Sequence, residues 1–180
     1  MKPRAHSWAY AAFLICGVLY GGSAEAQAQS LAEALAGDWV GTGTLANGYE
    51  AVPQTGRCRV EIAQGEDKAV LDITGTCAIP SGRSRFALRA VLDGDNRVRA
   101  AARANGVEGT TQYAGTVTRT GLDIVSRAPI ILDDAQFQSR FVIKLPAKNA
   151  FRMLHWLQPA DAASARQTLA MDFQRKQGMP

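Results

Sequence analysis

Apolar and polar residues alternate through most of this chain with the period of two that marks a strand with one buried face. Phe86, Leu88, Ala90 and Leu92 share one face of their run, and Val98, Ala100, Ala102 and Ala104 share one face of the next. Runs of this kind predict strands near 38–45, 50–63, 69–78, 84–92, 97–104, 110–118, 121–127, 137–145, 151–158 and 167–176. Turn-forming residues separate them, among them Asn47-Gly48, Gly94-Asp95-Asn96, Pro129, Pro146 and Pro159. Asp133-Asp134 reads as a solvated loop ahead of Phe137. Residues 30–37 instead have helical spacing, with Ser30 placed to cap a short turn and Gly37 to end it. Many short strands at even spacing, without a strand–helix–strand rhythm, predict an all-β fold. We expect a single antiparallel up-and-down β-barrel of about 8–10 strands with a short N-terminal helical turn.

Two registers follow from the pattern. Pairing Leu92 with Val98 and Ala90 with Ala100 points both apolar faces the same way, which needs the three-residue loop Gly94-Asp95-Asn96. Pairing Ile62 with Ile73 sets Val60 opposite Gly75 and Cys58 opposite Cys77. The facing alanines leave room inside a barrel. That room is either filled from the opposite wall or left as a cavity.

The first residues read as processing rather than fold. Lys2 and Arg4 precede an apolar run over 9–20, and Ala24-Glu25-Ala26 and Ala26-Gln27-Ala28 offer small-x-small cleavage sites. This is the grammar of a secretory signal peptide over 1–28, cleaved after Ala26 or Ala28, leaving a barrel domain over 29–180. The apolar run is shorter than the roughly 20 residues of a membrane span. No transmembrane segment is expected after cleavage. An exported chain is periplasmic or secreted, and its two remaining cysteines, Cys58 and Cys77, are expected to form a disulfide there.

Charge adds little. The chain carries a net +4, a weakly basic balance that supports solubility. Arg85, Arg89, Arg99 and Arg103 occupy the outer face of the 84–104 hairpin and read as a solvated wall. No aromatic platform interleaves them, so nucleic acid is not an expected partner.

Candidate chemistry is sparse. His155 is the one histidine beyond the signal segment, and it alternates with Phe151, Met153 and Leu157, which points it inward. With two bridged cysteines and one histidine, no metal site is expected. There is no Gly-x-Ser-x-Gly elbow and no glycine-rich loop opening a helix. No catalytic residue is assigned, and an enzyme is not expected.

The stretch Gly37-Asp38-Trp39-Val40-Gly41-Thr42-Gly43 resembles the Gly-x-Trp start of the calycin group, which includes lipocalins, fatty-acid-binding proteins and small secreted bacterial β-barrel proteins of unknown function. It is also similar, more weakly, to the Gly-x-Trp-x-Gly-x-Gly start of nitrobindin-type haem barrels. The resemblance implies structural roles for four residues. Trp39 would close one end, Gly41 and Gly43 would let the strand bend and another chain pass close, and Arg175 of the last strand would pack over Trp39. Nitrobindin-type barrels take their haem histidine from the last strand. None stands there, so no cofactor is expected, haem through His155 included.

The implied function is that of an exported lipocalin-like binding protein for a small apolar or amphipathic ligand. His155, Met153, Phe86 and Leu88 are the candidate ligand-binding residues. The alternative is a periplasmic protein-interaction barrel, similar to protease inhibitors or envelope factors, with a filled core. The expected partner is accordingly a small hydrophobic molecule or a periplasmic protein, and the chain is expected to be a monomer.

Overall fold

A computed structural model describes residues 24–93 and 95–176. The charged and apolar residues read above as the start of a signal segment lie outside the described residues, as does Gly94 of the 93–96 loop. One helix, α1 (Ala24–Leu35), leads into eleven strands: β1 (Gly37–Leu45), β2 (Gln54–Gln64), β3 (Val70–Ile79), β4 (Gly82–Leu92), β5 (Arg97–Ala104), β6 (Thr111–Thr118), β7 (Gly121–Ser126), β8 (Ile130–Leu132), β9 (Ala135–Ala147), β10 (Ala150–Pro159) and β11 (Arg166–Arg175). Ten of them close into an antiparallel barrel. β1 to β7 run in chain order, β9 follows β7, β9 pairs with β10, and β11 returns to β1. Closure removes the unpaired edges that an open sheet would expose. Among the described residues no helix is long and apolar enough to cross a membrane.

The predicted fold class and both predicted registers are present. Ile62 faces Ile73, Cys58 faces Cys77, Leu92 faces Val98 and Ala90 faces Ala100. Three local expectations are corrected. First, Asp133-Asp134 is the tight turn between β8 and β9, with φ of 50° and 62°, the left-handed pair that a two-residue hairpin needs. The three-residue β8 is too short for alternation to reveal, and Pro129 masks it. Second, β2 begins at Gln54 and not near 50. Pro53 has no amide to give a ladder, so Asn47-Gly48 belongs to an eight-residue loop rather than a hairpin turn. Third, Ser30 does not cap the helix. α1 begins at Ala24, and Ser30 is an exposed position within it. The helix is longer because Ala28, Leu31, Ala32 and Leu35, at helical spacing, are all buried against the barrel.

α1 plugs one end, and side chains from the barrel's two terminal strands complete its C-terminus. The last carbonyls of a helix have no partner within it. Here Arg175 donates from Nη2 to the Ala34 carbonyl at 2.9 Å and from Nη1 to the Ala36 carbonyl, and Trp39 Nε1 donates to the Leu35 carbonyl between them at 2.8 Å. The cationic guanidinium also suits the negative end of the helix. Arg175 Cζ sits 4.4 Å from the Trp39 ring centroid, and Trp39 meets Phe151 edge-on at 4.8 Å. Phe151 stacks on Phe173 at 4.4 Å. With Ile62, Leu71, Leu92, Val98 and Met171, all buried, these rings fill this half of the barrel.

Gly41 and Gly43 make the seam between β1 and β11 close. A Cβ on Gly41 would stand 2.6 Å from the Phe173 ring, and one on Gly43 would stand 2.0 Å from the Ala170 carbonyl oxygen. The first would displace a core ring and the second meets backbone that cannot move aside. Cys58 and Cys77 are disulfide-bonded across β2 and β3. On a chain-entropy estimate the bond contributes about 3 kcal/mol by restricting the unfolded state.

Candidate ligand chamber

The half of the barrel away from α1 is hollow. Phe86, Leu88, Ala102, Ala104 and Phe141 point inward yet stay only half-buried, because small residues face them and no side chain from the opposite wall reaches across. Two connected spaces result. The larger, about 330 Å³, lies beneath the loops at Ala46–Gly48, Asn105–Val107 and Leu132–Asp133. The smaller, about 90 Å³, runs deeper between β4, β5, β7 and β9. Phe86, Ala104, Val107, Phe141, Met153 and His155 border both. The larger volume is within the range of small-molecule sites.

A chain of neutral polar groups crosses this apolar lining. Tyr113 Oη lies 2.9 Å from Ser139 Oγ, and Ser139 Oγ lies 2.8 Å from His155 Nε2. His155 Nδ1 lies 2.6 Å from Thr168 Oγ1, which donates to the His155 carbonyl at 3.5 Å. In the neutral ring one nitrogen donates to its hydroxyl partner and the other accepts from its own. Ser139 is held in turn by its amide, which donates to Ser126 Oγ at 3.1 Å. The His155 ring stacks on Phe141 at 4.1 Å.

Burial sets the electrostatics. It pushes the His155 imidazole from 6.5 down to about 3, so the ring is neutral at physiological pH. It also raises the Tyr113 phenol, against hydrogen bonds from Ser139 and Thr111 that act the other way. The surface that His155 leaves open faces the chamber. Among the described residues, Asp133 is the one charged side chain bordering the larger space, and Arg103 the one bordering the smaller. Arg103 is exposed and donates to Thr110 at 2.7 Å.

All four candidate residues, Phe86, Leu88, Met153 and His155, line the smaller space. Trp39, Gly41, Gly43 and Arg175 lie at the plugged end and its seam. Sequence reasoning missed Tyr113, Ser139, Phe141 and Thr168. A signal existed for Ser139, a lone small polar residue sharing its face with Phe137, Phe141 and Ile143. None existed for Thr168, which turns inward at a bulge opposite His155 and Trp156. On the outer wall, Arg89 pairs with Asp72 at 3.0 Å, while Arg85 and Arg99 are exposed.

Haem does not fit these residues, since both ring nitrogens of His155 are taken by hydroxyls and neither is presented to the chamber. The hydroxyl–imidazole pair of Ser139 and His155 is also a poor nucleophile. Ser139 has no exposed surface, and an imidazole held down to about 3 is a weak base at neutral pH. No family model matches the chain, and no curated protein is significantly similar to it.

Proposed function

We propose that this chain is an exported, calycin-like binding protein that holds a small apolar or amphipathic molecule in its barrel. The carrying observation is the asymmetry of the interior: one half filled by aromatic rings, the other left as a chamber of about 330 Å³. A protein-interaction barrel would have no use for that space, and filling it would add stability. The reading is of a binder and not of a catalyst, because Tyr113, Ser139, His155 and Thr168, which cross the chamber's lining, are neutral and hydrogen-bonded to one another. Export is supported by the signal-like N-terminus and the buried disulfide. Of the two cleavage sites, the one after Ala26 keeps Ala28, whose side chain is buried, and Gln27, whose amide donates to Asn96 Oδ1 at 3.1 Å.

The test uses the neutral fluorophore N-phenyl-1-naphthylamine, which brightens in apolar surroundings. Wild-type protein is expected to bind it saturably. Ala104→Trp places a ring in the space shared by both parts of the chamber and should weaken binding at least about tenfold. Because the ring enters empty volume, the thermal midpoint should not fall. Absence of saturable binding by the wild type, or unchanged binding by a folded Ala104→Trp, would refute the proposal.

A further inference from the structure

We infer that the outer wall of β2–β4 docks on an anionic phospholipid surface, with the chamber end of the barrel turned towards the lipid. This goes beyond the binding-protein reading and does not depend on it, since wall and chamber use opposite faces of the same strands.

Two observations carry it. The first is an uncompensated array of arginines. On the outer face, β3 sets Ala78 between Arg57 and Arg83, and Thr76 between Arg59 and Arg85. All four arginines are exposed. Adjacent strands lie about 4.8 Å apart and alternate residues about 7 Å apart, so the four side chains rise from the corners of a rectangle of roughly 10 Å by 7 Å. Ala78 and Thr76 are too short to screen them from one another. Arginines elsewhere on the barrel meet carboxylates: Arg89 pairs with Asp72, Arg140 with Asp123 and Arg152 with Asp172. Among the described residues, none of the four in the array has an ion pair or a side-chain hydrogen bond. Asp38 and Glu61 face each other one rung further towards α1, so the unbalanced charge is confined to the chamber half. Guanidinium forks match phosphate oxygens two at a time, and an anionic surface relieves the repulsion within the array.

The second observation is an apolar tip at the same end. Cys77 and Ser84 alternate with the rungs of the array and border the larger chamber space, so the array is the outside of the chamber wall. Beyond it, the Ser81 amide donates to Gln54 Oε1 at 3.2 Å, which ties the β3–β4 turn to the start of β2. That tie sets exposed Pro80 and exposed Val52-Pro53 at one end of the same strands, with Val52 76 % exposed. A soluble polyanion would use the charges alone. A bilayer uses both features, its phosphates meeting the arginines while the tip enters the headgroup region.

Sedimentation of the purified protein with extruded vesicles tests this. Binding is expected to phosphatidylcholine vesicles containing about 30 % phosphatidylglycerol, and to be at least about tenfold weaker on phosphatidylcholine alone. Salt should weaken it steeply. Arg59→Gln with Arg85→Gln should weaken it about twentyfold, taking about fivefold for each arginine near the surface. Arg140→Gln with Arg152→Gln removes the same net charge from the far side of the ring of strands, and should change binding less than about twofold because it acts from beyond the screening length. Val52→Ser should weaken vesicle binding at least about threefold and leave retention on heparin, a soluble polyanion, unchanged. Every substituted side chain is exposed, so thermal midpoints should stay close to wild type. No binding of the wild type to anionic vesicles, equal binding to neutral ones, or equal loss from both arginine pairs would overturn the inference. So would vesicle binding indifferent to Val52→Ser, or array-dependent retention on heparin without vesicle binding, which would mark a different polyanion as the partner.

Discussion

Trp39→Ala is expected to lower the unfolding free energy by about 3–5 kcal/mol, the usual range for emptying a buried tryptophan site. The ring is 2 % exposed. Its loss leaves Phe151 without an edge-on neighbour, Arg175 without a platform, and the Leu35 carbonyl without a donor. Trp39→Phe retains most of the packing and removes only the donor, so its cost should be smaller, about 1–2 kcal/mol. Urea unfolding of the three proteins measures both differences. Because the ring anchors α1, limited proteolysis of Trp39→Ala should cut first within Ala24–Leu35. A loss for Trp39→Ala below that of Trp39→Phe would show that the ring does not serve as the plug.

Acid should destabilise the barrel through His155. Its folded value lies near 3 and its ordinary value is 6.5. Between these limits the unfolded chain binds a proton that the folded chain refuses. Stability is therefore at its full value above pH 6.5 and falls as the pH drops, by about 1.4 kcal/mol per unit while the difference persists. From pH 6.5 to 4.5 the loss should be about 2 kcal/mol. The comparison is with His155→Gln, which shares every other titratable group of the chain. The variant should be less stable than wild type at pH 7, since Ser139 and Thr168 lose their partner, and the gap should shrink steadily towards pH 4.5. Parallel stability curves for the two proteins would contradict a neutral, buried His155.

What the sequence disclosed, and what it hid, divides along physical lines. Strand alternation is a local property, and it located ten strands and two registers because each side chain in a half-buried strand chooses a face independently of distant contacts. The disulfide followed from one of those registers. The helix start was obscured because Ala24–Ala28 satisfies two grammars at once: small residues suit a cleavage site, and small residues also suit a helix, where Ala28 is buried against the barrel. The chamber was half visible. Inward alanines at 100, 102 and 104 announced missing volume, but whether the opposite wall fills it depends on pairings across the barrel that no single strand encodes. The polar chain was the least legible part. Its four members stand on four strands, and Thr168 enters through a bulge that breaks the alternation on which the reading relied.

The seam between β1 and β11 also governs time. Trp39 pairs with Arg175, almost the whole barrel sequence later, so the first strand keeps one edge open until the last strand arrives. Contacts of such long range slow folding. A chain that has not yet released β11 cannot complete the helix carbonyls or cover Trp39, however much of the meander has formed. Closing this seam needs the last strand, so the barrel stays incomplete until β11 is in place. Any truncation that removes Phe173–Arg175 should accordingly yield an edge-exposed, aggregation-prone sheet rather than a shorter barrel.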